Sequence, residues 1–293
     1  MLQRTIEVLG DQGISAKLVA TEAAGTAGEQ TRFEIDSGCD MILAAGGDGT
    51  INEVASGMLH TGVPLGIIPG GTANVLAREM HIPQHMVRAI VDLRWFEPQP
   101  VAIGDLRFAD GAQRPFLCMA GAGLDAQIVS RLNLRFKALA GKFAYYGTGF
   151  AQVFQPLREF EVVVDGKPYL ASFALVSRVR NYGGDLEIAR TASLLRDEFE
   201  VVLFRGTSGF RYLGYLAGVA SGNVARINGC TVLRARSVSC PQPEASNIFV
   251  QIDGELAGSL PIRAEILPDA ITLLMPQKFV ARERSMLAFP VCA

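Results

Sequence analysis

Apolar positions in the first third of the chain follow two alternating patterns. Short apolar runs, as in "ISAKLVA", "DMILAA" and "PLGIIPGG", are interleaved with stretches of helical periodicity: "GEQTRFEIDSG", "TINEVASGML", "TANVLAREM" and "QHMVRAIVDLRW". Strands alternating with helices predict a parallel sheet built from βαβ connections. Near Phe96 the pattern changes. Pro98 and Pro100 mark a boundary, and the runs beyond it are joined by turn signals such as "ADGAQ" at 109–113 and "VVDGKP" at 163–168. Asp-Gly between alternating apolar runs is a strong hairpin cue. The runs "FEVVLF", "CTVLRARSV", "IFVQIDGE" and "AITLLM" continue the β pattern, and helical periodicity is confined to residues 134–153 and 210–220. The expected architecture is an α/β N-terminal domain with a parallel sheet over residues 1–95. A mainly antiparallel β-sandwich C-terminal domain follows over residues 96–293, its last residues returning to the first domain. No internal repeat or low-complexity tract stands out.

Length agrees with two domains, since 293 residues exceed the usual domain of about 100–200. Hydrophobic residues make up 49% and charged residues 19%, with a net charge of -2. No segment supplies the basic stripe that a nucleic-acid backbone requires, so nucleic acid is excluded as a partner. Cys39, Cys118, Cys230, Cys240 and Cys292 form an odd set without CxxC spacing, and the opening "MLQRTIEVLGDQG" has no apolar h-region. The chain therefore reads as cytoplasmic with reduced thiols. Residues 209–222, "GFRYLGYLAGVASG", fall short of the roughly 20 apolar residues a bilayer span needs and carry an arginine, so no transmembrane segment is expected.

Candidate chemistry begins at residues 44–53, "AAGGDGTINE", where glycines stand between a strand and a helix. Such a junction presents backbone N–H groups with no side chain in the way, beside the positive end of a helix dipole, which suits phosphate. Gly46, Gly47 and Gly49 permit positive φ and close approach of an anion, and Thr50 can cap the helix. Asp48 projects a carboxylate, and a carboxylate beside phosphate points to a divalent metal between them. The competing reading is an ordinary tight turn with a capping Asp. A second loop, "IIPGGTANVLA" at 67–77, repeats the arrangement one βα unit later. Neighbouring glycine loops at the carboxyl ends of adjacent parallel strands form a ligand site, which favours phosphate over a mere turn.

The strings "GGDGTINEV" and "PGGTANVLA" closely resemble the diacylglycerol kinase catalytic family, the soluble lipid kinases that include bacterial diacylglycerol kinases, YegS-like kinases and sphingosine kinases. Downstream, "GAGLDAQIV" at 121–129, "NYGGDLEIARTASLLRDEFEVVLF" at 181–204 and "VQIDGE" at 250–255 resemble further blocks of that family in the right order. The resemblance implies a nucleotide-binding domain like that of NAD kinase and phosphofructokinase, a β-rich second domain, and ATP in the cleft between them. It implies ATP contacts from Gly46, Gly47, Asp48, Gly49, Thr50, Ile51, Asn52, Gly71 and Thr72, with Thr21 of "LVATEAAG" near the nucleotide.

The same resemblance assigns catalytic roles. Glu255 stands at the family's general-base position, against the alternative of a solvated Glu beside a hairpin turn. Asp48 would hold Mg²⁺, and Asp125 would position the lipid hydroxyl, against the alternative of capping the helix "DAQIVSRL". Asp197 resembles the aspartate of a second, structural metal site, completed by main-chain carbonyls that here belong to Leu194 and Phe199. Carboxylate plus carbonyl oxygens suit a hard cation such as Mg²⁺. His60, His81 and His85 lie in no matched block and read as solvated.

Three departures from the family pattern stand out. The chain opens at what reads as the first helix, without the family's first strand and Asn-Pro-x-Ser-Gly loop. Asp185 replaces the third glycine of a Gly-Gly-Gly, and Glu198 replaces the glycine after Asp197, where positive φ is expected.

For the substrate, residues 134–154 intersperse aromatics with Arg135, Lys137 and Lys142, as an amphipathic helix on an anionic membrane would, or as a helix packed on the sheet would. The family implies a lipid substrate met peripherally at a membrane surface. The expected activity is ATP-dependent phosphoryl transfer to a lipid hydroxyl of diacylglycerol, a sphingoid base or another glycerolipid. A non-catalytic nucleotide or lipid sensor of the same fold is the alternative from another class. NAD kinase shares the GGDGT loop but carries an Asn-x-Gly-x-x-Gly-Phe-Leu second loop, unlike "GGTANVLA". The sequence leaves a homodimer open.

Overall fold

The computed structural model describes residues 2–124, 126, 157–182, 186–220, 224, 227–241 and 248–288. Asp125, Asp185, Cys292 and the aromatic segment 134–154 lie outside the described residues. In chain order the first third holds α1 (Leu2–Asp11), α2 (Ala27–Asp36), β1 (Ile42–Gly46), α3 (Asp48–Gly57), β2 (Pro64–Pro69), α4 (Val75–Glu79) and α5 (Met86–Asp92). Strands then dominate: β3 (Phe96–Phe108), β4 (Gln113–Phe116), β5 (Met119–Gly123), β6 (Phe160–Val164), β7 (Lys167–Ala171), β8 (Phe173–Ser177), β9 (Asn181–Tyr182), β10 (Leu186–Glu187) and β11 (Phe199–Phe204). Helix α6 (Gly209–Ala220) precedes β12 (Cys230–Ala235), β13 (Ser237–Cys240), β14 (Phe249–Ile252), β15 (Glu255–Ser259) and β16 (Ile262–Pro276), and α7 (Gln277–Ala288) closes the described chain. Two compact units result, one of Met1–Ala102 with Pro268–Ala293, the other of Ile103–Leu267.

In the first unit β1 and β2 pair in parallel from Ile42↔Leu65 to Gly46↔Pro69, and β16 joins β2 in parallel at Leu273↔Leu65. β2 is buried along Leu65–Pro69, as expected of a strand with both faces covered. Helix α3 turns Ile51, Val54 and Ala55 inward, while Leu9, Ile68, Ile90 and Leu93 form a cluster beneath α1 and α5. Helices α2 and α3 cross backbone to backbone, because Gly28 and Gly57 meet with no side chain between them.

Residues 14–20, an apolar run expected as a strand, pair with no strand among the described residues, and Leu18 and Val19 are exposed. Periodicity alone does not make a strand, which also needs a neighbour for its N–H and C=O groups. Helix α7 is a further difference, since only Phe279, Val280 and Glu283 of its residues are buried and its apolar signal is correspondingly thin.

The second unit packs antiparallel sheets face to face. One runs β12-β11-β8-β5-β14-β15. The other takes the first half of β16 with β13, β6 and β7, and the β3–β4 pair. The run "CTVLRARSV" is two strands, because the chain switches sheets at Arg236. There the Asp165 carboxylate accepts the N–H of Ser237 at 2.9 Å and that of Arg236 at 3.2 Å. Phe116 and Phe199 stack across the interior with ring centroids 5.6 Å apart, among Val162, Val201, Val250 and Leu260. No helix among the described residues is long and apolar enough to cross a membrane.

A Cβ on Gly57 would fall inside the van der Waals radius of the Gly28 carbonyl. Gly57→Ala is therefore expected to destabilise the protein by roughly 1–3 kcal/mol, read as a lowered urea midpoint, whereas alanine at the uncrowded Gly10 leaves it near wild type.

Candidate active site

Strands β1 and β2 end side by side, and each hands over to a helix through glycines. The two loops touch: the Gly70 N–H donates to the Gly46 carbonyl at 2.8 Å, and a Cβ on Gly71 would lie 2.6 Å from the Gly47 Cα. Positive φ, which Gly46, Gly47 and Gly49 would permit, occurs at none of them; Gly47 has φ -84° and ψ 176°. The position that cannot carry a Cβ if the loops are to touch is Gly71; a Cβ on Gly47 would make only an ordinary 3.5 Å contact with the Gly71 Cα, and one on Gly46 would meet Thr50 of its own loop. Gly47 is the N-cap residue of α3, so Thr50 is not a cap; it is the third helical residue, with its side chain against Gly46.

The left-handed residue of this region is Asn74, φ 46°. Its side chain closes the second loop on itself: the Gly71 N–H donates to Oδ1 at 2.8 Å, and Nδ2 donates to the Gly71 carbonyl at 3.0 Å and to Gln84 Oε1 at 3.1 Å. Sequence reasoning missed Asn74, although Asn tolerates the left-handed region and bridges turns through its own side chain. Gly70, Gly71 and Thr72 are left exposed, and residues 46–50 are half-buried. Ile51 is a core residue, so its side chain serves packing, and Asn52 is half-buried. Thr21 is exposed in the loop before α2. That loop is tied to α3 by the Glu53 carboxylate, which accepts from the N–H groups of Gly25 at 2.9 Å and Ala27 at 3.3 Å.

Asp48 opens α3 and reaches across to α4, where its Oδ1 accepts the Leu76 N–H at a long 3.4 Å. Burial raises its carboxyl pKa above the ordinary value, and the N–H groups of Val75 and Leu76 act in the opposite direction. The carboxylate thus links the start of α3 to the start of α4. Among the described residues no group of three or more His, Cys, Asp or Glu forms a metal cage. Mg²⁺ is commonly held by one or two carboxylates together with substrate phosphates, and Asp48 fits that donor set. All three histidines are exposed.

In the second unit Glu255 is the exposed first residue of β15. It follows a two-residue turn of Asp253, φ 47°, and Gly254, φ 83°, the paired positive φ of a type I′ hairpin. Asp253 holds this turn in place: Oδ1 accepts the N–H groups of Met119 at 2.8 Å and Cys118 at 3.1 Å, and Oδ2 accepts that of Leu117 at 3.3 Å. Sequence reasoning matched the "DGE" string but gave Asp253 no role.

The proposed structural metal set does not fit. Leu194 and Phe199 are buried and Asp197 is exposed, but the Leu194 carbonyl accepts from Arg178 Nη2 at 2.9 Å. The carbonyls of Glu198, at 2.9 Å, and of Arg196 accept from Nη1 of the same guanidinium. Glu198 also lacks the positive φ expected there. An arginine already occupies the carbonyl cluster, a role that "ALVSRVRNY" does not advertise.

The family model for the diacylglycerol kinase catalytic domain matches residues 1–106, and that for the YegS C-terminal NAD kinase beta sandwich-like domain matches residues 118–275, more than half of the chain. A diacylglycerol kinase of Mycobacterium tuberculosis (strain ATCC 25618 / H37Rv) is 28% identical over 251 residues, covering 83% of this chain and 79% of that protein. A diacylglycerol kinase of Bacillus subtilis (strain 168) is 26% identical over 284 residues, covering 94% and 91%. Among solved structures, a diacylglycerol kinase from Bacillus anthracis str. Sterne has the same fold, with a TM-score of 0.74 at 21% identity over 94% of this chain and 93% of that one. Motifs, fold and family models agree: the chain belongs to the diacylglycerol kinase catalytic family and carries the YegS-type β-sandwich as its second domain.

Proposed function

We propose that the chain is an ATP-dependent lipid kinase, transferring the γ-phosphoryl group of ATP to the hydroxyl of diacylglycerol or a related glycerolipid or sphingoid base at a membrane surface. The observation that carries this reading is the pair of touching glycine loops at the ends of β1 and β2, each opening a helix, with the Asp48 carboxylate between the two helix starts. The names of the curated relatives favour diacylglycerol as the first lipid to try.

In this mechanism residues 46–50, Gly71 and Thr72 line the nucleotide phosphates, with the Gly70 and Gly71 N–H groups spent on holding the loops rather than on phosphate, and Thr21 is assigned to the nucleotide. Asp48 would hold Mg²⁺, which neutralises phosphate charge when bound. Glu255 accepts the proton of the lipid hydroxyl as its oxygen bonds to the γ-phosphorus and the bond to the β-phosphate oxygen breaks, releasing ADP. Asp253 is a positioning residue: it orients the turn that presents Glu255. Asp125 is assigned to orienting the hydroxyl.

The test is phosphorylation of a mixed-micelle lipid panel with γ-labelled ATP and Mg²⁺. The panel comprises diacylglycerol, monoacylglycerol, ceramide, sphingosine and phosphatidylglycerol. Label should enter one lipid and fall by roughly 10²-fold or more with Asp48→Ala and with Glu255→Gln. A protein whose melting temperature rises with ATP but which labels no lipid would be a nucleotide sensor instead.

Asp48 should also show a trade between activity and stability. Its folded pKa lies above the unfolded value of about 3.8, so the folded state holds this proton more tightly. The associated stability is complete below the unfolded pKa and is lost as pH rises through the folded pKa, leaving a penalty at neutral pH. Nucleotide-free Asp48→Asn is therefore expected to melt at or above the wild-type temperature at pH 7, with the difference vanishing toward about pH 4. A lower melting temperature at pH 7 would mean that the bonds to α4, not burial, dominate at Asp48.

A further inference from the structure

We propose that this chain supplies its own cation at the family's structural metal position, the guanidinium of Arg178, and that the segment between β10 and β11 is ordered without a divalent ion. The segment 188–198 is irregular, and its backbone groups have no ladder to satisfy them. Three of its carbonyls, at Leu194, Arg196 and Glu198, converge on one side chain. Arg178 follows directly on β8 and has no exposed surface. Its planar array of N–H donors answers several acceptors at once, as a metal ion with several ligands would.

The charges around it are those of a cation site. Asp197 and Glu198 face the guanidinium and favour its charged form, opposing the burial that brings its pKa down to about 10; the group stays protonated at neutral pH. Glu198 is further paired with Arg196 at 3.1 Å and Arg234 at 3.4 Å. The far end of the segment is held separately, where the buried Glu200 accepts from both the N–H and the hydroxyl of Thr191 at 2.7 Å. A divalent ion placed on the Leu194 carbonyl would displace an existing hydrogen bond and meet a fixed positive charge beside it.

The test needs no activity. Nucleotide-free protein is stripped with EDTA, titrated calorimetrically with Mg²⁺, Mn²⁺ and Ca²⁺, and melted with and without each ion. Wild type is expected to melt at the same temperature throughout and to show no binding that Asp197→Asn removes. Arg178→Asn is expected to melt roughly 5–10 °C lower in EDTA and to recover with about one equivalent of divalent ion, an effect abolished by adding Asp197→Asn. Wild-type protein that binds one equivalent and loses it with Asp197→Asn would overturn the proposal, and that measurement stands even if Arg178→Asn fails to fold.

Discussion

The hydrogen bond from the Gly70 N–H to the Gly46 carbonyl joins the ends of two parallel strands at the point where each must turn into a helix. The geometry of both loops depends on it. The bond forms only if the two loops approach to backbone contact, and a single Cβ at Gly71 would prevent that. Because the loops lie together, Asp48 on one can reach Leu76 on the other, and Asn74 can fold the second loop back on Gly71.

The second unit meets a different demand by a related means. Where its ladders stop, charged side chains complete the backbone: the half-buried Asp253 takes three N–H groups, the buried Arg178 takes three carbonyls, and the buried Glu200 takes Thr191. A buried charge is costly unless it is hydrogen-bonded, and here the irregular backbone supplies bonds to both Nη atoms of Arg178 and to the Glu200 carboxylate. The cost is offset because the same backbone groups would otherwise be buried without partners.

Legibility in the sequence follows the range of the cause. β2 and α3 could be read because burial of a whole strand, or of one helix face, imprints a period on consecutive residues. The glycine loops could be read because glycines cluster where a strand turns into a helix, although what the structure requires is the absence of a Cβ at Gly71 rather than left-handed φ. Residues 14–20 misled because an apolar run says nothing about whether a neighbouring strand exists. Helix α7 buries too few residues to leave a period. Arg178 was illegible for a stronger reason: the carbonyls it binds lie 16 to 20 residues away and are main-chain atoms without sequence identity.

Cys118 shows how these devices join within the second unit. Its N–H is bound by Asp253, and its carbonyl accepts the Arg178 N–H at 2.8 Å. The turn that presents Glu255 and the residue that gathers the 188–198 segment are therefore clamped to one main-chain position. A loop ordered by a solvent-derived ion would make that clamp depend on the free concentration of the ion. With the cation built into the chain, the hairpin geometry is fixed at folding, and the only divalent ion the proposed reaction requires is the one that accompanies the nucleotide.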